Sequence, residues 1–112
     1  MRYIASAFSL SMLSTTPAVL KVERVGPAVF CQEARSAISA VGHPATAQVL
    51  STICGYQIQP NRIMVTLQPG DEVIVFQLME RLPEGKVLSS EEVQQLLAQG
   101  KVAFFKVTLT QA

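Results

Sequence analysis

Hydrophobic positions along the chain change period several times, and each change marks an element. Between Pro44 and Cys54 the apolar residues Ala47, Leu50, Ile53 and Cys54 return every three or four positions, the pattern of a half-buried helix. Pro44 in its first turn sets the start and makes His43 the N-cap, and Gly55 supplies the stop. Val29, Phe30, Ala34, Ala37 and Ile38 predict an earlier helix after the break at Gly26-Pro27. Leu96 and Leu97 predict a later one, opened at Ser90 by a capping box of Ser89 with Glu92 and a staple of Leu88 with Val93, and closed by Gly100. Strand patterns cover Tyr3–Ala5, Ala18–Val25, Arg62–Leu67, Glu72–Met79 and Val102–Leu109. Gln68-Pro69-Gly70-Asp71 suits a type II turn, so the two strands around it read as a hairpin. The second of them is apolar on both faces except at Gln77, which predicts a strand covered on both sides. The sum is an α/β fold: a single domain over residues 1–112, with a mixed central sheet of about five strands flanked by helices.

Composition narrows this picture. A length of 112 residues supports one core and not two. With 49% hydrophobic and 15% charged residues the chain is too apolar for disorder and thinly charged for a lone monomer, which predicts apolar surface facing a partner subunit. A net charge of +1 supplies no field to hold a long nucleic acid, so any bound anion must meet a local cluster of cations. Cys31 and Cys54 make neither a disulfide framework nor a CxxC pair; both read as reduced thiols of a cytoplasmic protein, Cys31 as a core thiol rather than a nucleophile. Joined to the single histidine they fit no usual zinc spacing, so no metal is expected. The stretch from Met1 to Leu13 has the basic start and apolar run of a signal peptide. Serines dilute that run and Thr15-Thr16-Pro17 is a poor cleavage site, so it reads as part of the domain. No other segment is long enough to span a membrane.

Two places carry candidate chemistry. His43 stands where a helix N-terminus presents unpaired N–H groups and about half a positive charge, a natural seat for a phosphate. A histidine there can touch such an anion and deliver a proton to a departing alkoxide near neutral pH. From spacing alone, a plain role in capping the helix or bonding within a loop fits His43 better still. The second place is the run from Gln77 to Lys86. Arg81 has the planar fork to clamp a phosphate there, and Glu84 can orient Arg81 or a substrate hydroxyl; solvated loop charges are the ordinary alternative. Arg62, opening an exposed strand, needs no special reason of its own.

Taken in order, Ala7-Phe8-Ser9-Leu10-Ser11-Met12-Leu13, Val41-Gly42-His43-Pro44-Ala45-Thr46, Gly55 with Asn61-Arg62, and Gln77 through Lys86 resemble the small viral ring nucleases. These are type III anti-CRISPR proteins of archaeal viruses and phages, with cellular relatives. The resemblance covers nearly the whole chain, and Gly-His before a helix combined with Arg-Leu-Pro-Glu-Gly-Lys is more specific than either piece. It implies a homodimer that binds cyclic tetra-adenylate and cuts it into linear di-adenylate without metal or cofactor, switching off type III CRISPR signalling in the cytoplasm, the host's if the chain is virus-encoded. His43, Arg81 and Glu84 would be the catalytic residues: a ribose 2′-hydroxyl attacks the adjacent phosphorus in line, His43 protonates the departing 5′-oxygen, and Arg81 with Glu84 positions phosphate and hydroxyl. Ser6, Ser9, Leu10, Ser11, Gly42, Arg62, Gln77 and Lys86 would line the ligand.

Such roles agree with the physics above, because a nucleophile supplied by the substrate leaves the protein to provide an acid, a clamp and alignment. A two-fold dimer would bring Arg62, Arg81 and Lys86 of each subunit to the ring, so a chain of small net charge would still meet the phosphates with a local cluster. It would also present one His43 to each of two opposite phosphates, giving equal halves. Relatives often carry asparagine where this chain has Ser6 and Ser11. Serine lacks the paired donor and acceptor of an amide, so affinity is expected to change more readily than catalysis. Two readings compete: a protein that holds a cyclic oligonucleotide without cutting it, as a sponge or sensor, and a DNA-binding protein, against which the near-neutral charge counts.

Overall fold

Strand β4 (Glu72–Leu78) is buried on both sides, as its unbroken apolar run predicts, and the other elements are arranged around it. In this computed structural model residues 1–78 and 90–111 are described. β1 (Arg2–Ala5), β2 (Val19–Val25), β3 (Ile38–Ser39) and β5 (Val102–Gln111) join β4 in one sheet of order β2-β5-β4-β1-β3. β1 pairs parallel with β3 and β4, and β5 pairs antiparallel with β4 and β2, so β5 alone runs against the other four strands. Helices α1 (Pro27–Ala34), α2 (Pro44–Cys54) and α3 (Ser90–Ala98) contribute to the core on one face, where Phe30 and Leu50 meet Ile4, Ile74, Phe76 and Phe104 and α3 adds Leu96 and Leu97. The opposite face, with Ala5, Val73, Val75, Val107 and Leu109, is covered by irregular chain carrying Phe8, Met12 and Leu13 on one side and Val65 and Leu67 on the other. The result is the expected single mixed α/β domain of five strands, with its helices on one face.

One of the expected strands is replaced by another. Arg62–Leu67 alternates like a strand but is not one, because β1 and β5 already occupy both edges of β4 and leave it nothing to pair with. The segment lies across the sheet face instead, burying Val65 and Leu67 and leaving Met64 91% exposed; Leu67 alone is bridged, to Leu13. The turn that follows is as predicted: the Asp71 N–H donates to the Gln68 carbonyl at 2.9 Å, and Gly70 takes φ 93°, a conformation that excludes most side chains. It leads into β4 from this arm rather than from a hairpin strand. The fifth strand is β3, whose Ile38 was expected on the buried face of the first helix. That helix stops at Ala34, burying Phe30 and Ala34, while Val29 and Ile38 stay exposed. α2 runs as predicted to Gly55, which takes the left-handed conformation of a helix stop. Gly100 follows α3 in the same way, whereas the capping residues Leu88 and Ser89 lie outside the described residues.

The two cysteines also depart from expectation. Cys31 and Cys54 form a disulfide, their Cα atoms 5.2 Å apart, because α1 and α2 lie side by side and each turns its cysteine toward the other. A separation of 23 residues along the chain carries no hint of that proximity. Closing a loop of this size stabilises the fold by roughly 3 kcal/mol in the chain-entropy account. The cytoplasmic reading loses the support it drew from reduced thiols; no helix among the described residues is long and apolar enough to cross a membrane.

At the N-terminal end of β1 and β4 a chain of charges ties sheet to helix. Arg2 donates from Nη2 to Glu72 at 2.9 Å, and Lys106 reaches Glu72 at 2.9 Å and Glu33 of α1 at 3.2 Å. Burial alone would push the Glu72 carboxyl up, but hydrogen bonds from Lys106 and Arg2 outweigh it and hold its pKa below the usual value. Lys106 is raised by its hydrogen bonds to Glu72 and Glu33 against an opposing effect of burial. The two signs differ. A depressed carboxyl stabilises the fold above its unfolded-state pKa and loses that contribution as pH falls through the folded value, whereas raised Lys106 loses its contribution only as pH climbs through its folded value. Melting temperature should therefore hold through neutral pH and fall below about pH 4, with a shallower fall in Glu72→Gln. Thermal melts across pH 2–7 check this, and an acid limb unchanged in the variant would remove Glu72 from it.

Candidate functional site

Because β1, β3 and β4 run parallel, the loops leaving their C-terminal ends gather along one edge of the sheet, the edge where open α/β sheets bind ligands. Ser6 leaves β1 there, Gly42 and His43 follow β3, and Gln77 stands at the end of β4. Gln77 shares the face of Val73 and Val75, opposite the helices, which is the face covered by the serine-rich segment. That segment forms a single 3₁₀ turn, Leu10–Met12, capped by Ser9, whose Oγ accepts from the Ser11 N–H at 3.3 Å and lies 2.9 Å from Ser11 Oγ. Leu10 points away from the core and is 76% exposed.

His43 is the N-cap of α2, as Pro44 predicts, and its carbonyl accepts the first helical bond from the Ala47 N–H at 3.0 Å. Its side chain makes no capping bond. The imidazole is exposed at the mouth of the helix, so the plain capping role that spacing allowed is not how this side chain is used.

Arg62 comes to the same place by a route the sequence does not disclose. Ser51 of α2 fixes the loop after the helix, accepting from the Ile58 N–H at 2.8 Å, and the chain then runs back along the outer edge of β3. Ser39 donates from Oγ to the Gln59 carbonyl at 2.6 Å, the Asn61 N–H donates to the Val41 carbonyl at 2.7 Å, and Asn61 Nδ2 donates to the Ser39 carbonyl at 2.9 Å. Arg62 then donates from Nε to the Gly42 carbonyl at 3.3 Å. Its stem lies over Gly42, where an added Cβ would stand 3.0 Å from Arg62 Cγ. Gly42 is thus a glycine for room, since its φ is not positive. The arm continues to Leu67, whose N–H donates to the Met12 carbonyl at 2.7 Å, so one stretch of chain joins the His43 loop to the serine-rich turn. Ser6, Ser9, Leu10, Ser11, Gly42, His43, Arg62 and Gln77 all belong to the loops and strand ends of this edge or to the segments tied to it. Arg81, Glu84 and Lys86 lie outside the described residues. Ser39 and Asn61 were not singled out from the sequence as site residues; Asn61 next to Arg62 was the one available signal.

The STIV B116-like family matches residues 2–104. The chain belongs to that family. Uncharacterized protein ORF116 of Acidianus filamentous virus 1 is 34% identical over 105 residues, which are 92% of this chain and 90% of the relative. Uncharacterized protein YddF of Bacillus subtilis is 29% identical over 96 residues, 79% of this chain and 85% of the relative. Among solved structures, B116 of Sulfolobus turreted icosahedral virus superposes with a TM-score of 0.84 at 34% identity, over 96% of this chain and 97% of that one. The family therefore has members in archaeal viruses and a relative in a bacterium, and the sheet that gathers these loops is shared with B116.

Proposed function

We propose that this protein is a metal-independent ring nuclease, a cyclic oligoadenylate phosphodiesterase that binds cyclic tetra-adenylate at a homodimer interface and cleaves it to linear di-adenylate ending in a 2′,3′-cyclic phosphate. The observation that carries the reading is an exposed imidazole at a helix N-terminus, unused for capping, with an arginine laid over the glycine that precedes it. A phosphate seated on the open N–H groups of α2 would meet the proton of His43, and Arg62 would offer its Nη groups as a paired donor. The substrate's own 2′-hydroxyl attacks the neighbouring phosphorus and releases its proton to water, the bond from phosphorus to O5′ breaks, and His43 gives its proton to O5′ and takes one back from water. Arg81 and Glu84 align phosphate and hydroxyl; Gln77, Lys86, Ser6 and the Ser9 to Ser11 turn hold the rest of the ring.

A second copy of the chain completes the site in this reading. The apolar side chains that the fold leaves in solvent, Val19 and Val22 on edge strand β2 together with Leu10 and Met64, supply surface for such an association. The biological consequence proposed is removal of the messenger of type III CRISPR defence in the cytoplasm where it is made.

Incubating the purified protein with cyclic tetra-adenylate in EDTA and identifying the products by mass tests the reading, with light scattering for the oligomeric state. Linear di-adenylate carrying a cyclic phosphate, from a dimer, is the expected result. A ring recovered intact from a tight complex would make the protein a sponge or sensor, and a ring that neither binds nor breaks would end the proposal.

A further inference from the structure

The two segments that bring His43 and Arg62 together share no regular strand pairing. What registers one against the other is a short ladder in which side chains act as rungs, and Asn61 supplies the rungs nearest the site. Its backbone N–H bonds the Val41 carbonyl at 2.7 Å and its Nδ2 bonds the Ser39 carbonyl at 2.9 Å. These two acceptors straddle Ala40, so the pair of bonds fixes both the position and the tilt of the backbone at residue 61. With that tilt fixed, residue 62 emerges over Gly42, where its Nε finds the carbonyl at 3.3 Å and its stem fills the room a side chain at 42 would take.

We infer that Asn61 is a positioning residue for Arg62: its side-chain amide, by holding the arm to the open edge of β3, aims the guanidinium at the mouth of α2. The inference rests on the ring-nuclease reading for its ligand, though the hold of Asn61 on Arg62 does not. Among the described residues Asn61 Nδ2 bonds only the Ser39 carbonyl, and Arg62 bonds only through Nε, which leaves both Nη groups to face a phosphate. Asparagine suits this position because its amide is short and carries N–H donors for the carbonyl of an edge strand.

The test uses the full chain and three variants, Asn61→Leu, Arg62→Ala and the double substitution. Leucine keeps the branching at Cγ without a donor or a charge, and Asn61→Ala serves as a second variant should leucine impair folding. Asn61→Leu should weaken binding of cyclic tetra-adenylate about three- to tenfold while the rate at saturating ring stays at the wild-type value. In the double variant binding should be no weaker than in Arg62→Ala alone, because Asn61 acts through Arg62. In the free protein the NMR signal of the Arg62 Nε–H should exchange with solvent about tenfold faster in Asn61→Leu, at a melting temperature lowered by only a few degrees. Binding equal to wild type, additive losses in the double variant or unchanged exchange at Arg62 would overturn the inference. A wild type that ignores the ring would overturn the ring-nuclease reading instead, and the exchange measurement would still decide whether Asn61 holds Arg62.

Discussion

Replacing His43 with alanine should slow cleavage of cyclic tetra-adenylate by about 10²- to 10⁴-fold while the ring still binds within about threefold of its wild-type affinity. The size follows from what the proposed reaction asks of the protein. The leaving group is a ribose alkoxide, a strong base, and the nucleophile arrives with the substrate, so proton delivery to O5′ is the step that only a positioned acid can supply. The ground-state ring needs no proton there, which is why affinity should survive. Folding should survive as well. His43 makes no side-chain bond to the helix it caps, and the first turn of α2 is set by Pro44, so alanine removes no rung from the structure. Single-turnover rates, equilibrium binding and a melting curve on the same preparation separate the three. A variant that cuts as fast as wild type would take His43 out of the mechanism, and one that loses binding in the same proportion as rate would make it a ligand contact rather than an acid.

That prediction uses a feature legible in the sequence, since proline one residue after histidine, followed by a helical period, places the imidazole at a helix mouth. Elements that carry their own start and stop signals were legible in the same way: α2 between Pro44 and Gly55, the turn at Pro69-Gly70, and β4 with its unbroken apolar run. The failures share a physical cause. Whether Arg62–Leu67 becomes a strand depends on which edges of β4 are free, and β1 and β5 settle that from far along the chain. The two residues of β3 have no period to read, and they join the sheet because Ile38 and Ser39 find β1. The pairing of Cys31 with Cys54 depends on how two helices lie against each other, which spacing does not encode. The site divides along the same line. His43 was placed by local rules, Arg62 was placed by Asn61 and Ser39 through contacts across the arm, and the roles of Arg81, Glu84 and Lys86 rest on the resemblance of their motif.

The largest expected change in stability comes from a residue with no part in the chemistry. Phe30 of α1 is wholly buried, its ring centroid 4.7 Å from that of Phe104, which in turn lies 5.7 Å from Phe76. The three rings join helix α1 to β4 and β5 at the middle of the helical face, with Ile4, Leu50 and Ile74 in the same cluster. Phe30→Ala should lower unfolding free energy by about 3–5 kcal/mol, the loss of a large transfer contribution plus a cavity that the surrounding side chains fill only in part. For a domain of this size that is a large share of a total of about 5–15 kcal/mol, and urea unfolding should show it as a shifted midpoint with an unchanged slope. At temperatures where the variant stays folded, its cleavage rate per folded molecule should match wild type. Val41 and Ala47 on either side of His43 belong to the same cluster as Phe30, but the loops of the candidate site are held in addition by the hydrogen bonds of the arm and by the opposite core of Val65, Leu67 and Val73, which the substitution leaves in place. A stability loss below about 1 kcal/mol would mean that the cluster closes over the hole and that Phe30 is not its keystone. A rate that fell with stability would mean that the packing of α1 reaches His43 through α2, and that the site depends on how the helices pack as well as on the arm that crosses the other face.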